Sequence, residues 1–300
     1  MSNLERLNKC PLCKSGLFLN LGEVTDHSIS GQKFLLSKCS KCHLVFTNPR
    51  PDETSIQEYY VSESYVSHQD KSNNLTNFLY KIIRKVTIRH KLNWLNTFNS
   101  KKGNLLDIGC GTGYLLEAAA RDGWKGIGIE PDPTARKLAN SKNLEVESEI
   151  SKVYKKEHYQ CITMFHVLEH VHQLRKLGKK LSKMLKTEGT LLIAVPNLNS
   201  FDSNYYKADW AGLDVPRHLY HFTKDTIQYF AKDNGFLITD TIPMKFDSFY
   251  VSLLSETYRN KNNKMWEHYK NGFITGLKSN RWAKKNELNY SSILFILKKS

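Results

Sequence analysis

The stretch "LLDIGCGTGYLL" (105–116) sets Asp107 ahead of three glycines on alternate positions, Gly109, Gly111 and Gly113. Glycines spaced this way let a ligand approach the backbone closely, and an acid at the head of the loop selects the ligand's charge. A dinucleotide fingerprint needs glycine where Tyr114 stands, and a phosphate loop needs a Gly-Lys-Ser/Thr that does not follow. Asp107 would repel a pyrophosphate but suits an ammonium and a sulfonium. Glu130 ends the next hydrophobic run, "GIGIE", where a carboxylate accepts both hydroxyls of a ribose. A cationic nucleoside without phosphate is S-adenosylmethionine. Asp107, Gly109, Gly111, Gly113 and Glu130 are its candidate contacts.

Two Cys-x-x-Cys pairs, Cys10/Cys13 ("CPLC") and Cys39/Cys42 ("CSKC"), form a second set. Such turns each aim two sulfurs at one ion, and two of them supply the closed four-thiolate shell of structural zinc. Lys9, Lys14, Lys38 and Lys41 would offset the negative charge of that site. The strand-like "SGLFLNL" and "KFLLS" between the pairs fit a zinc ribbon, a module too small to hold itself together without metal. His43 finds the fourth position filled, and Cys110 and Cys161 stand alone.

The histidines make a third set. "HVLEH" (His166, Glu169, His170) matches an inverted zinc-protease string, but those ligands need a helix and this stretch caps the hydrophobic strand "CITMF". The expectation is that Glu169 and His170 pair to hold the strand end, with His166 beside the cofactor. Farther on, 197–225 is too long for a simple connection, and a long loop over a ligand-binding face is typically a functional lid. It carries His218 and His221 as candidate bases or substrate-positioning groups, and Arg217, suited to an anionic substrate. His166, His218 and His221 are thus the candidate catalytic residues.

These groups need a scaffold. From 104 onward strand-like and helix-like segments alternate, which implies an α/β fold with a parallel sheet covered by helices. Ligands of such sheets sit at the carboxyl ends of the strands, where the glycine loop lies. A helix over 172–186 places Leu174, Leu177, Leu181, Met184 and Leu185 on one face. Upstream, 52–68 reads as a short helical connector, and apolar positions 75, 78, 79, 82, 83 and 86 begin a helix whose basic residues Lys81, Arg84, Lys85 and Arg89 fall mostly opposite. The expected division is a zinc ribbon over 1–50, a connector over 51–100 and a catalytic domain over 101–300. "GFLITDTI" and "SSILFILKK" read as the last two strands, and the insertion between them carries Trp266, Tyr269, Phe273, Ile274 and Leu277 among lysines. That insertion caps the pocket, packs as an ordinary helix, or lies on a membrane surface as a basic amphipathic segment.

Across 300 residues, 44 Lys and Arg stand against 29 acids, a formal charge of +15. The excess favours anionic partners or simply keeps a basic surface soluble. With neither a signal-peptide core nor a long apolar run, the chain is expected to be soluble and cytoplasmic.

"LLDIGCGTG", "GIGIEPD", "FHVLEHV" and "DVPRHLYHFT" together resemble the class I S-adenosylmethionine-dependent methyltransferases. The resemblance is to the ubiquinone-biosynthesis-like branch with an N-terminal zinc ribbon. It implies a Rossmann-like seven-stranded sheet, with the three glycines contacting the methionine and sugar portions of the cofactor. Asp107 would orient the methionine end, Glu130 would bind the ribose, and the adenine would fall near Glu149–Ile150. In that branch the matching acid-x-x-Glu-His stretch is associated with a divalent metal, and His166 stands where the first acid would be. The expected activity is methyl transfer to a small-molecule acceptor, such as a sugar or surface-glycan precursor. The alternatives are an RNA methyltransferase and a non-catalytic cofactor-binding module.

Overall fold

The computed structural model describes residues 3–60 and 75–300. Residues 61–74 of the expected connector, and the side chains of 75–83 with its apolar positions 75, 78, 79, 82 and 83, lie outside the described residues. Strand β1 (Leu4–Glu5) pairs antiparallel with β5 (Arg50–Pro51), while β2 (Phe18–Thr25), β3 (Lys33–Cys39) and β4 (Val45–Thr47) form an antiparallel meander. A short 3-10 turn over Ser55–Tyr59 follows.

Helix α1 (Leu75–Phe98) leads into β6 (Asn104–Ile108), α2 (Tyr114–Arg121), β7 (Lys125–Ile129), α3 (Pro133–Asn140) and β8 (Glu145–Glu147). Next come β9 (Tyr159–Phe165), α4 (Leu174–Met184), β10 (Leu185–Pro196), α5 (Phe201–Tyr206) and β11 (Tyr220–His221). The chain finishes with α6 (Lys224–Asp233), β12 (Phe236–Pro243), α7 (Asp247–Arg259), α8 (Met265–Lys285) and β13 (Ser292–Lys299). One seven-stranded sheet runs in the order β12-β13-β10-β9-β6-β7-β8, with β13 antiparallel to both neighbours and the others in β6–β10 pairing parallel. Its central strands are buried on both faces, which is why they read as unbroken aliphatic runs such as "TLLIAV". Helix α4 buries Leu174, Leu177, Leu181 and Met184 as their spacing predicts, but it ends at Met184, and Leu185 begins β10 instead of joining the helix face.

Parallel pairing sends the connections after β6, β7, β9 and β10 to the same edge, so the glycine loop, Glu130, His166 and the lid gather there. The lid is fastened by Asp202, which is fully buried and accepts from Trp210 Nε1 at 2.8 Å, Ser279 Oγ at 2.7 Å and Ser291 Oγ at 2.6 Å.

The ribbon is bound into the rest of the chain. Strand β11 extends its sheet by pairing with β4, giving the order β11-β4-β3-β2. Buried Arg50 reaches across, donating to Tyr220 Oη at 3.1 Å and to the His172 carbonyl at 3.2 Å.

Candidate active site

The glycine loop turns on three residues at positive φ, Gly109 at 72°, Gly111 at 54° and Gly113 at 79°. Packing explains two of them: a Cβ on Gly109 would meet Val167 at 2.4 Å, and one on Gly113 would meet Leu144 at 2.5 Å. Nothing lies within 4 Å of a Cβ placed on Gly111, so its backbone borders open space. Gly111 N–H donates to Glu130 Oε2 at 2.8 Å and Asp132 N–H to Oε1 at 2.9 Å, which fixes the Glu130 carboxylate beside the loop. Each carboxylate oxygen keeps a second lone pair for a hydroxyl donor. Asp107 is buried and accepts from Thr163 Oγ1 at 2.6 Å, and burial pushes its carboxyl up to about 6.

Sequence reading missed Lys91. It extends from α1 with Nζ 4.1 Å from the centroid of the Phe165 ring, and its charge interacts with Asp107 and Asp247 while burial holds its pKa below the usual value. Its signal was visible: Lys91 stands four residues before Leu95 and seven before Phe98, on the apolar stripe of the helix.

His166 occupies the tip of β9 at φ 58°, a conformation that costs a non-glycine residue energy and marks functional positions. Its Nε2 lies 3.0 Å from Asp247 Oδ2 and its Nδ1 3.5 Å from Glu169 Oε1. Burial opposes its charge, but the two carboxylates prevail and raise its pKa to about 10. The ring is therefore an imidazolium at neutral pH, so His166 holds a charge rather than serving as a free base. Asp247, at the start of α7, is a second residue that sequence reading did not find. No local pattern ties it to a strand tip eighty positions earlier.

Glu169 does not pair with His170 as expected; its ion-pair partner is His166. Its side chain is 0% exposed, and neither oxygen accepts a hydrogen bond. Burial would raise its pKa, but the neighbouring histidines hold it below the usual carboxylate value. One ligand atom each from Glu169, His170 and His218 lies within 4.8 Å of the others. His170 Nδ1 is 3.0 Å from the Arg217 carbonyl and His218 Nδ1 is 2.9 Å from the Gly212 carbonyl. Carbonyls only accept, so each Nδ1 carries the proton and each Nε2 a lone pair. Two imidazoles oriented by backbone carbonyls beside an orphaned carboxylate suit either proton transfer or a divalent cation. Glu169, His170 and His218 are thus the residues here that could hold a cation, with His218 of the lid in the set and His166 outside it.

Two lid residues differ from expectation. Arg217 is not available to an anionic substrate: its guanidinium donates to both Asp214 oxygens, to Asp26 Oδ1 at 2.9 Å and to the Tyr59 carbonyl at 3.1 Å. It clasps the lid to the ribbon. His221 is buried in β11, with Nε2 3.3 Å from Thr47 Oγ1 of the ribbon strand β4. Burial, reinforced by His218, lowers its pKa to about 3, so the ring stays neutral and braces that junction.

The four paired cysteines converge, with Cys10 Sγ 3.5 Å from Cys42 Sγ and Cys13 Sγ 3.4 Å from Cys39 Sγ. All four sulfurs lie within 4.8 Å of one another. Tetrahedral zinc with bonds of about 2.3 Å sets sulfurs about 3.8 Å apart, so the cluster matches that ion. Lys14 and His43, each just after the second cysteine of a pair, adopt positive φ and close two equivalent turns.

The methyltransferase-domain family matches residues 80–241. The chain belongs to the class I S-adenosylmethionine-dependent methyltransferases. A ubiquinone biosynthesis O-methyltransferase of Bradyrhizobium diazoefficiens is 27% identical over 158 residues, 48% of this chain and 62% of that one. One from Rhodopseudomonas palustris is 27% identical over 156 residues, with the same coverage. The methyltransferase chain thus spans under two thirds of the length of these curated relatives. Its fold is shared with magnesium protoporphyrin IX methyltransferase of Synechocystis (TM-score 0.53, 15% identity, 83% of this chain and 100% of that one). It is shared too with geranyl diphosphate C-methyltransferase of Streptomyces coelicolor (TM-score 0.51, 13% identity, 80% and 90%). No helix among the described residues is long and apolar enough to cross a membrane.

Proposed function

We propose that this methyltransferase moves the methyl group of S-adenosylmethionine to a hydroxyl of a small organic acceptor bound beneath the lid. The observation that carries the reading is the convergence of Glu169, His170 and His218 on the strand edge that also holds the glycine loop. The names of the curated relatives support oxygen as the acceptor atom. The acceptor oxygen attacks the methyl carbon, the carbon–sulfur bond breaks, and S-adenosylhomocysteine leaves. His218 Nε2 takes the hydroxyl proton, and the Glu169 carboxylate stabilises the imidazolium that forms. Asp107 and Glu130 hold the cofactor's ammonium end and ribose, and Gly111 leaves room for it. A divalent ion held by Glu169, His170 and His218 would instead occupy the His218 Nε2 lone pair and supply, in place of that base, a Lewis acid that eases loss of the hydroxyl proton.

An RNA acceptor has less support, because Arg217 is committed and the lid sets Lys207 and Lys224 against Asp202, Asp209 and Asp225. Incubation with methyl-labelled cofactor and separate panels of phenolic, sugar-nucleotide and RNA acceptors tests the reading. Labelled methyl ethers of a small molecule are expected. Label in RNA, with binding that collapses between 50 and 200 mM salt as phosphate contacts demand, would replace it.

The four cysteines are further proposed to hold one structural zinc. Elemental analysis of protein prepared without chelators should give one zinc per chain, and Cys39→Ser should lower the melting temperature. Metal-free protein with unchanged stability would remove this assignment.

A further inference from the structure

Helices α7 and α8 pack against each other through small residues. Helix α7 buries Ser248, Ser252 and Ser255, and α8 buries Gly272, Thr275, Gly276, Ser279 and Ala283. A Cβ on Gly272 would stand 2.7 Å from Leu253 Cα, and one on Gly276 would stand 3.0 Å from Phe249 Cα, so the two backbones touch. Ser248 Oγ donates to the Gly276 carbonyl at 3.3 Å. Small residues at the contact let the two backbones approach this closely, so the large side chains of α8 are left for its other faces.

The outer face of α8 inverts the pattern of a helix on a water-soluble surface, where large apolar residues turn inward. Met265, Trp266, Tyr269 and Phe273 each keep more than half of their surface in water, and Ile274 is exposed beside them. Lys264, Lys270, Lys278, Arg281, Lys284 and Lys285 are exposed along the same helix. Lys270 Nζ lies 6.0 Å from the Trp266 ring centroid. Glu267, the lone acid of α8, is spent capping Lys264 N–H at 2.9 Å.

We propose that the outward face of α8 docks on an anionic lipid bilayer surface. Aromatic residues interleaved with lysines suit the headgroup layer, where rings enter the acyl boundary and cations meet lipid phosphates. Charge argues against a second copy of the chain as occupant, since a two-fold contact would set these cations against their equivalents. The helix is too polar to cross the bilayer and lies along it. Through Asp247 the helix pair is fastened to His166.

Flotation of the full chain with phosphatidylcholine vesicles, with and without phosphatidylglycerol, tests this without reference to methyl transfer. The protein should float with the anionic vesicles and much less with the zwitterionic ones, with its tryptophan emission shifting to the blue. Trp266→Ser combined with Phe273→Ser, and separately Lys270→Glu combined with Lys278→Glu, should each weaken partitioning at least tenfold. Far-ultraviolet dichroism, melting temperature and cofactor affinity should stay close to the parent's values, which shows that the variants fold. Absence of flotation by the parent, or equal flotation by folded variants, would overturn the proposal. So would a parent dimer in sedimentation velocity that either variant pair converts to monomer.

Discussion

His166 and His170 stand four residues apart at one strand end, yet their surroundings drive them to opposite charge states. The first lies between Asp247 and Glu169 and holds its proton up to about 10. The second is half-buried, faces the His218 ring with centroids 4.7 Å apart, and has its pKa pushed down to about 4. Burial disfavours the charged form in both places. What differs is contact: two carboxylates lie within ion-pair distance of His166, while His170 feels Glu169 and Asp214 from farther away and faces the His218 ring. The strand tip is therefore a fixed charge bordering the cofactor loop, while on the lid side His170 is kept neutral beside the His218 ring. Identical residue types in one short motif acquired different chemistry from their partners.

The sharpest break in this comparison is on the lid side. Glu169→Ala and His218→Ala should each lower turnover by about 10²–10⁴-fold, the usual contribution of a positioned acid or base, while cofactor affinity measured by calorimetry stays unchanged. An equal loss in His166→Asn with no loss in His218→Ala would reverse the two assignments. On the cofactor side, Gly111→Val fills the open space beside the backbone at a positive φ. It should weaken S-adenosylmethionine binding at least about tenfold, a loss of about 1.4 kcal/mol.

Smaller effects follow from titration. Asp107, with its carboxyl at about 6, must ionise to hold a cationic ligand, so cofactor affinity should decline as pH falls below that value. A flat pH profile of binding would detach Asp107 from the cofactor. The His166 pKa is raised on folding, so its contribution to stability is complete below the ordinary 6.5 and disappears as pH rises through about 10. Asp247→Asn should flatten the melting-temperature curve across that alkaline window. His221 is the opposite case: its lowered pKa contributes stability above 6.5 that is lost as pH falls toward about 3. His221→Asn should ease that acid loss and leave turnover intact. A collapse of turnover in a folded His221 variant would return this ring to the catalytic group.

The cofactor side was legible from the chain because its groups are neighbours in sequence or close one βα unit. The D-x-G-x-G-x-G run and Glu130 needed only the right-handed parallel crossover to meet, and Gly111 N–H does reach Glu130. The paired cysteines converge for the same reason, since each turn is built within four residues. The lid side was half legible. His218 and His221 stood out by type, but three residues of spacing gave no hint that one faces the cluster while the other seals the ribbon junction. Arg217 was misread because a guanidinium in a lid signals a free anion site until Asp26, Asp214 and the Tyr59 carbonyl are seen to engage all three of its nitrogens.

The sequence by itself determined the periodic elements, the parallel sheet, the metal-type cysteine turns and the kind of ligand that the glycine loop admits. All of these follow from local sterics and from apolar patterning, which act over a few residues. The tertiary structure alone decided which histidine is charged, which carboxylate is left without donors, and that Lys91, Asp247 and His218 join the site from three distant segments. It also decided that α8 turns its aromatic residues outward, because glycines and serines already fill the contact with α7. Charge states and exposed faces depend on neighbours brought together through space. Spacing along the chain carries no measure of those distances.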